Sequence, residues 1–150
     1  MGARTKKTWR EKLCDNKGLP RIVRIPSHQE KRWGKGTMVI PAPAEVDQVI
    51  RTVRKGRVTT INELRTVLAQ RHQASTACPI TTGIFAWIAA HAAAEDEAAG
   101  KKRVTPWWRV VKEGRKLNPK FPGGLDEHRR RLEAEGHVVR DDRVVEVRPA

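Results

Sequence analysis

The sequence predicts a mostly α fold with small β elements: a winged helix-turn-helix-like domain preceded by a basic N-terminal arm. Three observations lead there. Apolar residues recur at helical spacing in three successive stretches between positions 45 and 99, the last two joined by a short polar turn. Short valine-rich runs separated by turn residues follow, the pattern of a small wing and a hairpin. The charge is strongly positive, with 31 Lys+Arg against 17 Asp+Glu for a formal +14.

Such a field favours polyanions, and nucleic acid is the commonest inside cells. An anionic membrane is the other candidate, but no long basic amphipathic helix stands out. No apolar run approaches the ~18 residues of a membrane span, and no secretory signal is expected. A length of 150 residues suits one ordinary domain with a tail, and 38% apolar content supports one modest core. Cys14 and Cys78 make neither a metal spacing nor a disulfide framework. The five His are scattered, and none pairs at i,i+4 with another His or a Cys. No metal and no cofactor is expected, and a reduced cytoplasmic setting and a monomer fit.

Residues 1–36 carry 11 Lys+Arg and 3 Asp+Glu, a net +8. Trp9, Leu13, Ile22, Val23, Ile25 and Trp33 are spaced without a period, so the segment reads as an arm with little structure of its own. It is either a solvated tail or a basic arm that follows phosphates, and its apolar residues can lie on a neighbouring surface. Thr37–Ile40 is a strand or an extended linker, ended by Pro41 and Pro43. Arm and linker thus take residues 1–43, and the compact domain takes 44–150.

Val46, Val49, Ile50 and Val53 predict a helix over Glu45–Arg54, with Glu45 and Asp47 favoured in its first turn and Gly56 as its stop. After a short link, Thr60 and Glu63 form a capping box for a second helix, Ile61–Arg71. Its apolar face is Ile61, Leu64, Val67 and Leu68. A polar turn at Gln73–Ala77 leads to a third helix from Pro79 to about Ala99, with Ile80, Ile84, Trp87, Ile88 and His91 on one face. Val110-Val111 and Lys116-Leu117 flank a turn at Lys112–Arg115, which reads as a wing. The last helix, Leu125–Glu135, pairs Asp126 and Glu127 with arginines four residues on. Val138-Val139 and Val144–Val147 form a terminal hairpin around Asp141-Asp142.

Four segments in order resemble a known family. Gly56-Arg57-Val58-Thr59-Thr60 is similar to a Gly-x-Val-x-Thr stretch ahead of that family's second helix, and Pro79-Ile80-Thr81-Thr82-Gly83 occupies the place of its Ala-Arg-Ala-Val-Gly. Pro106-Trp107-Trp108-Arg109-Val110-Val111 stands where it has Pro-Cys-His-Arg-Val-Val. Gly123-Gly124-Leu125, Leu132 and Glu135-Gly136 resemble its Gly-Gly-Leu…Leu…Glu-Gly ending. The resemblance, over about residues 44–137, is to the DNA-binding domain of the O6-alkylguanine-DNA alkyltransferases. It is nearest to their non-enzymatic relatives, the alkyltransferase-like proteins. It implies duplex DNA as partner, other DNA-repair proteins beyond it, and a search for alkylated or modified bases. The alternative is a general winged-helix DNA-binding or regulatory protein without lesion recognition.

Departures from the family shape these expectations. The methyl-accepting Cys falls on Trp107 and its assisting His on Trp108. Indole is neither a soft nucleophile nor a base, so no catalytic residue is expected there, and Glu135 has no relay to complete. The resemblance instead implies a pocket for a base or alkyl group at Trp107 and Trp108, while residue type alone also allows a Trp to be core. The family's phosphate-pushing Tyr falls on Ile61 and its arginine finger on Ile80, and residues 89–102 make the segment before Pro106 longer. Ile80 is an apolar wedge or a core residue of its helix. The expected DNA contacts are Thr59, Thr60, Ile80, Thr81, Thr82, Gly83, Arg109, Lys112 and Arg115. Thr60 is already occupied as a cap. Cys78, at a helix start in a basic chain, is a reactive thiol or a small core residue.

Overall fold

A computed structural model describes residues 7–146. Residues 1–6 of the basic stretch and Val147 of the expected hairpin lie outside the described residues. The fold is mostly α with small β. Its helices are α1 (Trp9–Cys14), α2 (Glu30–Trp33), α3 (Pro43–Arg51), α4 (Ile61–Arg71), α5 (Pro79–Ala98) and α6 (Gly124–Ala134). The strands are β1 (Arg21–Arg24), β2 (Thr37–Ile40), β3 (Thr59–Thr60), β4 (Thr76–Ala77), β5 (Val110–Val111), β6 (Val138–Arg140) and β7 (Arg143–Glu146). β1 is antiparallel to β2, which runs parallel to β4; β3 and β5 pair in parallel, and β6 and β7 form a hairpin.

The main core forms around α5. This helix buries Phe85, Ala86, Ile88, Ala89, Ala90, Ala92 and Ala93, against Val46, Val49 and Ile50 of α3, Leu64 and Leu68 of α4, and Leu13 of α1. The distance between packed helices follows the side chains at the contact, so an alanine face lets its neighbours approach closely. This overturns the expected face. Of Ile80, Ile84, Trp87, Ile88 and His91, only Ile88 is buried, because the helix turns its small residues inward. Val67 of α4 is likewise exposed.

The N-terminal segment also differs from expectation. It is folded onto the rest, with α1, β1, α2 and β2 inside residues 9–40. Leu13 and Val39 belong to the main core, and Ile25 and Met38 cluster with Cys78. Its apolar residues show no single period because they are divided among short elements, Trp9 and Leu13 in α1, Ile22 and Val23 in β1, and Trp33 in α2. β4 likewise falls within the polar turn expected at 73–77. At Gly36, φ is +107° and a Cβ would lie 2.2 Å from the Ser75 hydroxyl, so this crossing requires glycine.

Helix ends follow local chemistry. α3 starts at Pro43 and stops at Arg51, short of Arg54, where the Thr52 hydroxyl donates to the Val49 carbonyl at 2.6 Å. Asp47, expected as a first-turn acid, is a buried anchor: it accepts from the Thr105 hydroxyl at 2.6 Å and from Arg51 at 3.0 Å. α4 keeps its predicted limits, with Thr60 accepting from the Glu63 N–H at 3.2 Å. The wing is smaller than expected. β5 pairs with β3, and the turn after it closes with one bond, from the Lys112 N–H to the Lys116 carbonyl at 2.8 Å. The Asp141-Asp142 hairpin has positive φ at both turn residues, as a tight two-residue connection demands.

The docking of α1 has a measurable consequence. Leu13→Ala should lower unfolding free energy by about 2–4 kcal/mol in urea titrations, the cost of emptying a packed site. A cost below about 0.5 kcal/mol would mean that α1 is not held in the core.

Candidate nucleic-acid interface

Helix α5 begins at Pro79, which needs no N–H partner there. Its outward face carries Ile80 and Ile84, 55% and 45% exposed, one turn apart. With Gly83 and Trp87 they line one side of a groove of about 590 Å³; Lys112, Asn118, Pro119 and Lys120 line the other. A Cβ on Gly83 would meet nothing within 4 Å, so the missing side chain leaves the groove open there. Ile80 is therefore exposed, which overturns its place as a core residue.

The opposite wall is tightly held. The Asn118 N–H donates to His128 Nδ1 at 3.2 Å, and the Lys120 N–H donates to Asn118 Oδ1 at 2.9 Å. The Lys120 carbonyl accepts from Trp87 Nε1 at 3.1 Å and lies 3.2 Å from His91 Nε2. Lys112, Arg115, Lys116 and Lys120 are exposed, and none makes an ion pair among the described residues. The groove itself has no carboxylate in its lining. It combines apolar surface with unneutralised positive charge.

Several expected contacts lie elsewhere. Trp107 is 1% exposed, wedged edge-on against Trp108 and Phe121 with ring centroids 5.8 and 5.6 Å away. It fills the core and faces no groove, which corrects its expected role toward a base or alkyl group. Trp108 is half-buried, with the Arg131 guanidinium 4.9 Å and the Arg109 guanidinium 5.7 Å from its ring. It borders a different hollow, beside Lys55, Glu97 and Glu135. Arg109 is also committed: it donates to both Glu135 oxygens, at 2.7 Å from Nη2 and 3.0 Å from Nε, and to the Val53 carbonyl at 2.7 Å. It is not free for a phosphate. Burial pushes the Glu135 carboxyl up, but the bonds from Arg109 outweigh this and hold it below the usual carboxylate range.

The threonines divide similarly. Thr59 is buried and donates to Glu63 Oε2 at 2.9 Å, which takes up the carboxylate expected to complete the capping box. Thr60 caps α4, and Thr82 is buried with its hydroxyl donating to the Cys78 carbonyl at 2.6 Å. Thr60 and Thr82 are thus engaged within their own helices, and Thr59 of β3 with α4. Thr81 is half-buried, with a hydroxyl that has no partner among the described residues. Cys78 is buried against Ile25 and Met38, the small-core alternative. The structure thus brings Ile80, Gly83 and Lys112 together, with Arg115 nearby in the chain.

His128 was not among the expected residues. It is fully buried, donates from Nε2 to the Trp108 carbonyl at 2.9 Å and accepts at Nδ1, so both nitrogens are used by the neutral ring. Its signal in the sequence is helical spacing, since Leu125, His128 and Leu132 share one face of α6. Burial pushes its pKa down from 6.5 to about 4.

A neutral buried imidazole stabilises the fold fully above about pH 6.5, and this contribution is lost as pH falls toward 4. The full loss is roughly 3 kcal/mol. Glu127, held at about 2 by its bonds from Arg130 and Arg131, gives up stability only below its ordinary 4.5. Urea midpoints should therefore fall between pH 6.5 and 4.5 in the wild type and stay nearly flat there in His128→Gln. Equal slopes in the two proteins would remove His128 as the cause.

No protein-family model matches the chain, and no curated protein matches it in sequence. Among solved structures it is similar to S. pombe Atl1 in complex with damaged DNA containing O6-carboxymethylguanine. The identity is 16% and the TM-score 0.45, over 65% of this chain and 78% of that one.

Proposed function

We propose that this chain is a non-enzymatic, alkyltransferase-like DNA-binding protein that recognises modified bases in duplex DNA. Its face is the outer side of α5 with the segment 112–120. One observation carries the proposal: Ile80 and Ile84 stand exposed on a helix beside Lys112 and Lys120, with no carboxylate in the groove between. Exposed apolar side chains among free cations suit DNA, where lysines neutralise phosphates and an isoleucine wedges between base steps. The groove volume lies in the range of about 300–1,000 Å³ typical of small-ligand sites, enough for an extruded base. Neither Trp107 nor Trp108 offers a nucleophile or a base, so the role is binding and the output is recruitment of other repair proteins.

The sealed position of Trp107 favours a second reading, a winged-helix binder that extrudes no base. Titration of tryptophan fluorescence with duplexes that do and do not carry an O6-alkylguanine separates the two. Equal affinities would leave only the second. Absence of salt dependence with both duplexes would remove DNA binding altogether.

Two variants test the groove itself. Gly83→Ala removes a glycine from a helix interior and should raise stability by up to about 1 kcal/mol. The same methyl narrows the groove, so preference for the modified duplex should fall while stability rises. Lys112→Gln and Lys120→Gln should each lower the slope of log affinity against log salt by about 1. An unchanged slope in the double variant would place the phosphates elsewhere.

A further inference from the structure

The groove wall is tied to a helix that contributes no residue to the groove. Helix α1 docks on the C-terminal half of α5 through specific bonds. The Glu95 carboxylate accepts from the Trp9 and Arg10 N–H groups, each at 3.1 Å, and Arg10 pairs with Asp96. Thr8 caps α1 reciprocally with Glu11, whose N–H donates to the Thr8 hydroxyl at 3.0 Å. This docking sets the place of the Trp9 ring. It stacks on His91 at 4.5 Å, nearly parallel at 22°, and meets Trp87 edge-on at 4.8 Å. Trp87 and His91 are one turn apart on α5, and both converge on one acceptor, the Lys120 carbonyl in the groove wall.

We infer that α1 is a built part of the interface: Trp9 locks Trp87 and His91 in place, and these two hold the 118–120 wall that shapes the groove. Trp9 and His91 are positioning residues, and the inference rests on the proposed function only in calling that groove the DNA site. The physical ground is convergence. Two ring N–H groups directed at one carbonyl leave that backbone little freedom, provided both rings keep their orientation. Neither ring can turn away while Trp9 covers one flat and the other edge-on. Aromatic contacts of these two geometries are the favourable ones.

Hydrogen exchange on the full chain tests the coupling without DNA. In Trp9→Ala the amides of Asn118, Lys120 and Phe121 should exchange about tenfold faster, as expected for weakening one or two hydrogen bonds. Trp9→Phe, which keeps an aromatic ring against His91, should restore most of the protection. Met38→Ala, in the separate cluster with Ile25 and Cys78, lowers overall stability without touching α1 or the 118–121 wall. It should leave exchange at 118–121 unchanged relative to that of α4. Should Trp9→Ala fail to fold, His91→Phe keeps a ring on Trp9 but removes one donor, and should loosen the same amides. Wild-type rates at 118–121, in a Trp9→Ala protein whose α1 amides exchange freely, would overturn the inference. Duplex titrations run in parallel should show weaker preference for the modified duplex in Trp9→Ala. A wild type that binds no duplex would defeat the proposed function alone, since exchange still decides the coupling.

Discussion

His128 joins the two ends of the segment that carries one wall of the groove. Its ring donates to Trp108 and accepts from Asn118, so the chain between them, with β5 and its turn, is pinned from beneath by one uncharged side chain. Charge would convert Nδ1 into a second donor facing an N–H, so the ring must stay neutral. Trp107 packs against the same ring at 5.6 Å, together with Phe121. The turn at Trp107-Trp108 is thereby a plug. Trp107 seals the core there, Trp108 is half-buried beside it, and the open groove lies along the outer face of α5.

The cations near the Trp pair and those near the groove differ in what neutralises them. Arg109 and Arg131 lie against the Trp pair and are neutralised by Glu135, Glu97 and Glu127. Arg131 ties α6 to α5 through Glu97, and Arg109 ties its turn to the end of α6 through Glu135, which fits the planar, forked chemistry of arginine. Lys112, Arg115, Lys116 and Lys120 have no acidic partner among the described residues and stand exposed, Lys112 and Lys120 in the lining of the groove. A phosphate backbone responds to charge that is not already compensated. The net +14 therefore matters less than where its unpaired part lies.

Features governed by neighbours in the chain were legible in the sequence. The Thr60 cap placed the start of α4, Pro79 placed α5, and Asp141-Asp142 placed the last turn. Features governed by distant partners were not. β5 looked like half of a wing because its true partner, β3, lies about fifty residues earlier. The N-terminal segment looked unstructured because α1 takes its docking bonds from Glu95, and β1 and β2 complete a sheet with β4. At the candidate site, Gly83 lies in the segment that carries the resemblance and Lys112 in the expected wing turn, whereas Arg109, Thr59 and Thr82 are held by internal partners that spacing does not reveal.

The face of α5 shows why the site itself was hard to see. Two stripes compete on that helix, one large and apolar, one rich in alanine. Size favours burying the first, since a buried isoleucine gains more from leaving water than an alanine does. Yet α1 and α3 both lie across the helix, and only the alanine stripe allows two neighbours to come close while Phe85 and Ile88 fill the remaining space. Packing geometry therefore wins over burial per residue, and Ile80 and Ile84 are left in water. A sequence that breaks a local rule without local compensation marks a place where another requirement is met. Here the exposed isoleucines border an uncompensated positive groove whose wall is braced by Trp87, His91 and α1. Exposure of Ile80 and Ile84 is therefore the feature of α5 that its own packing leaves uncompensated, and it is the feature on which the proposed DNA-binding role rests.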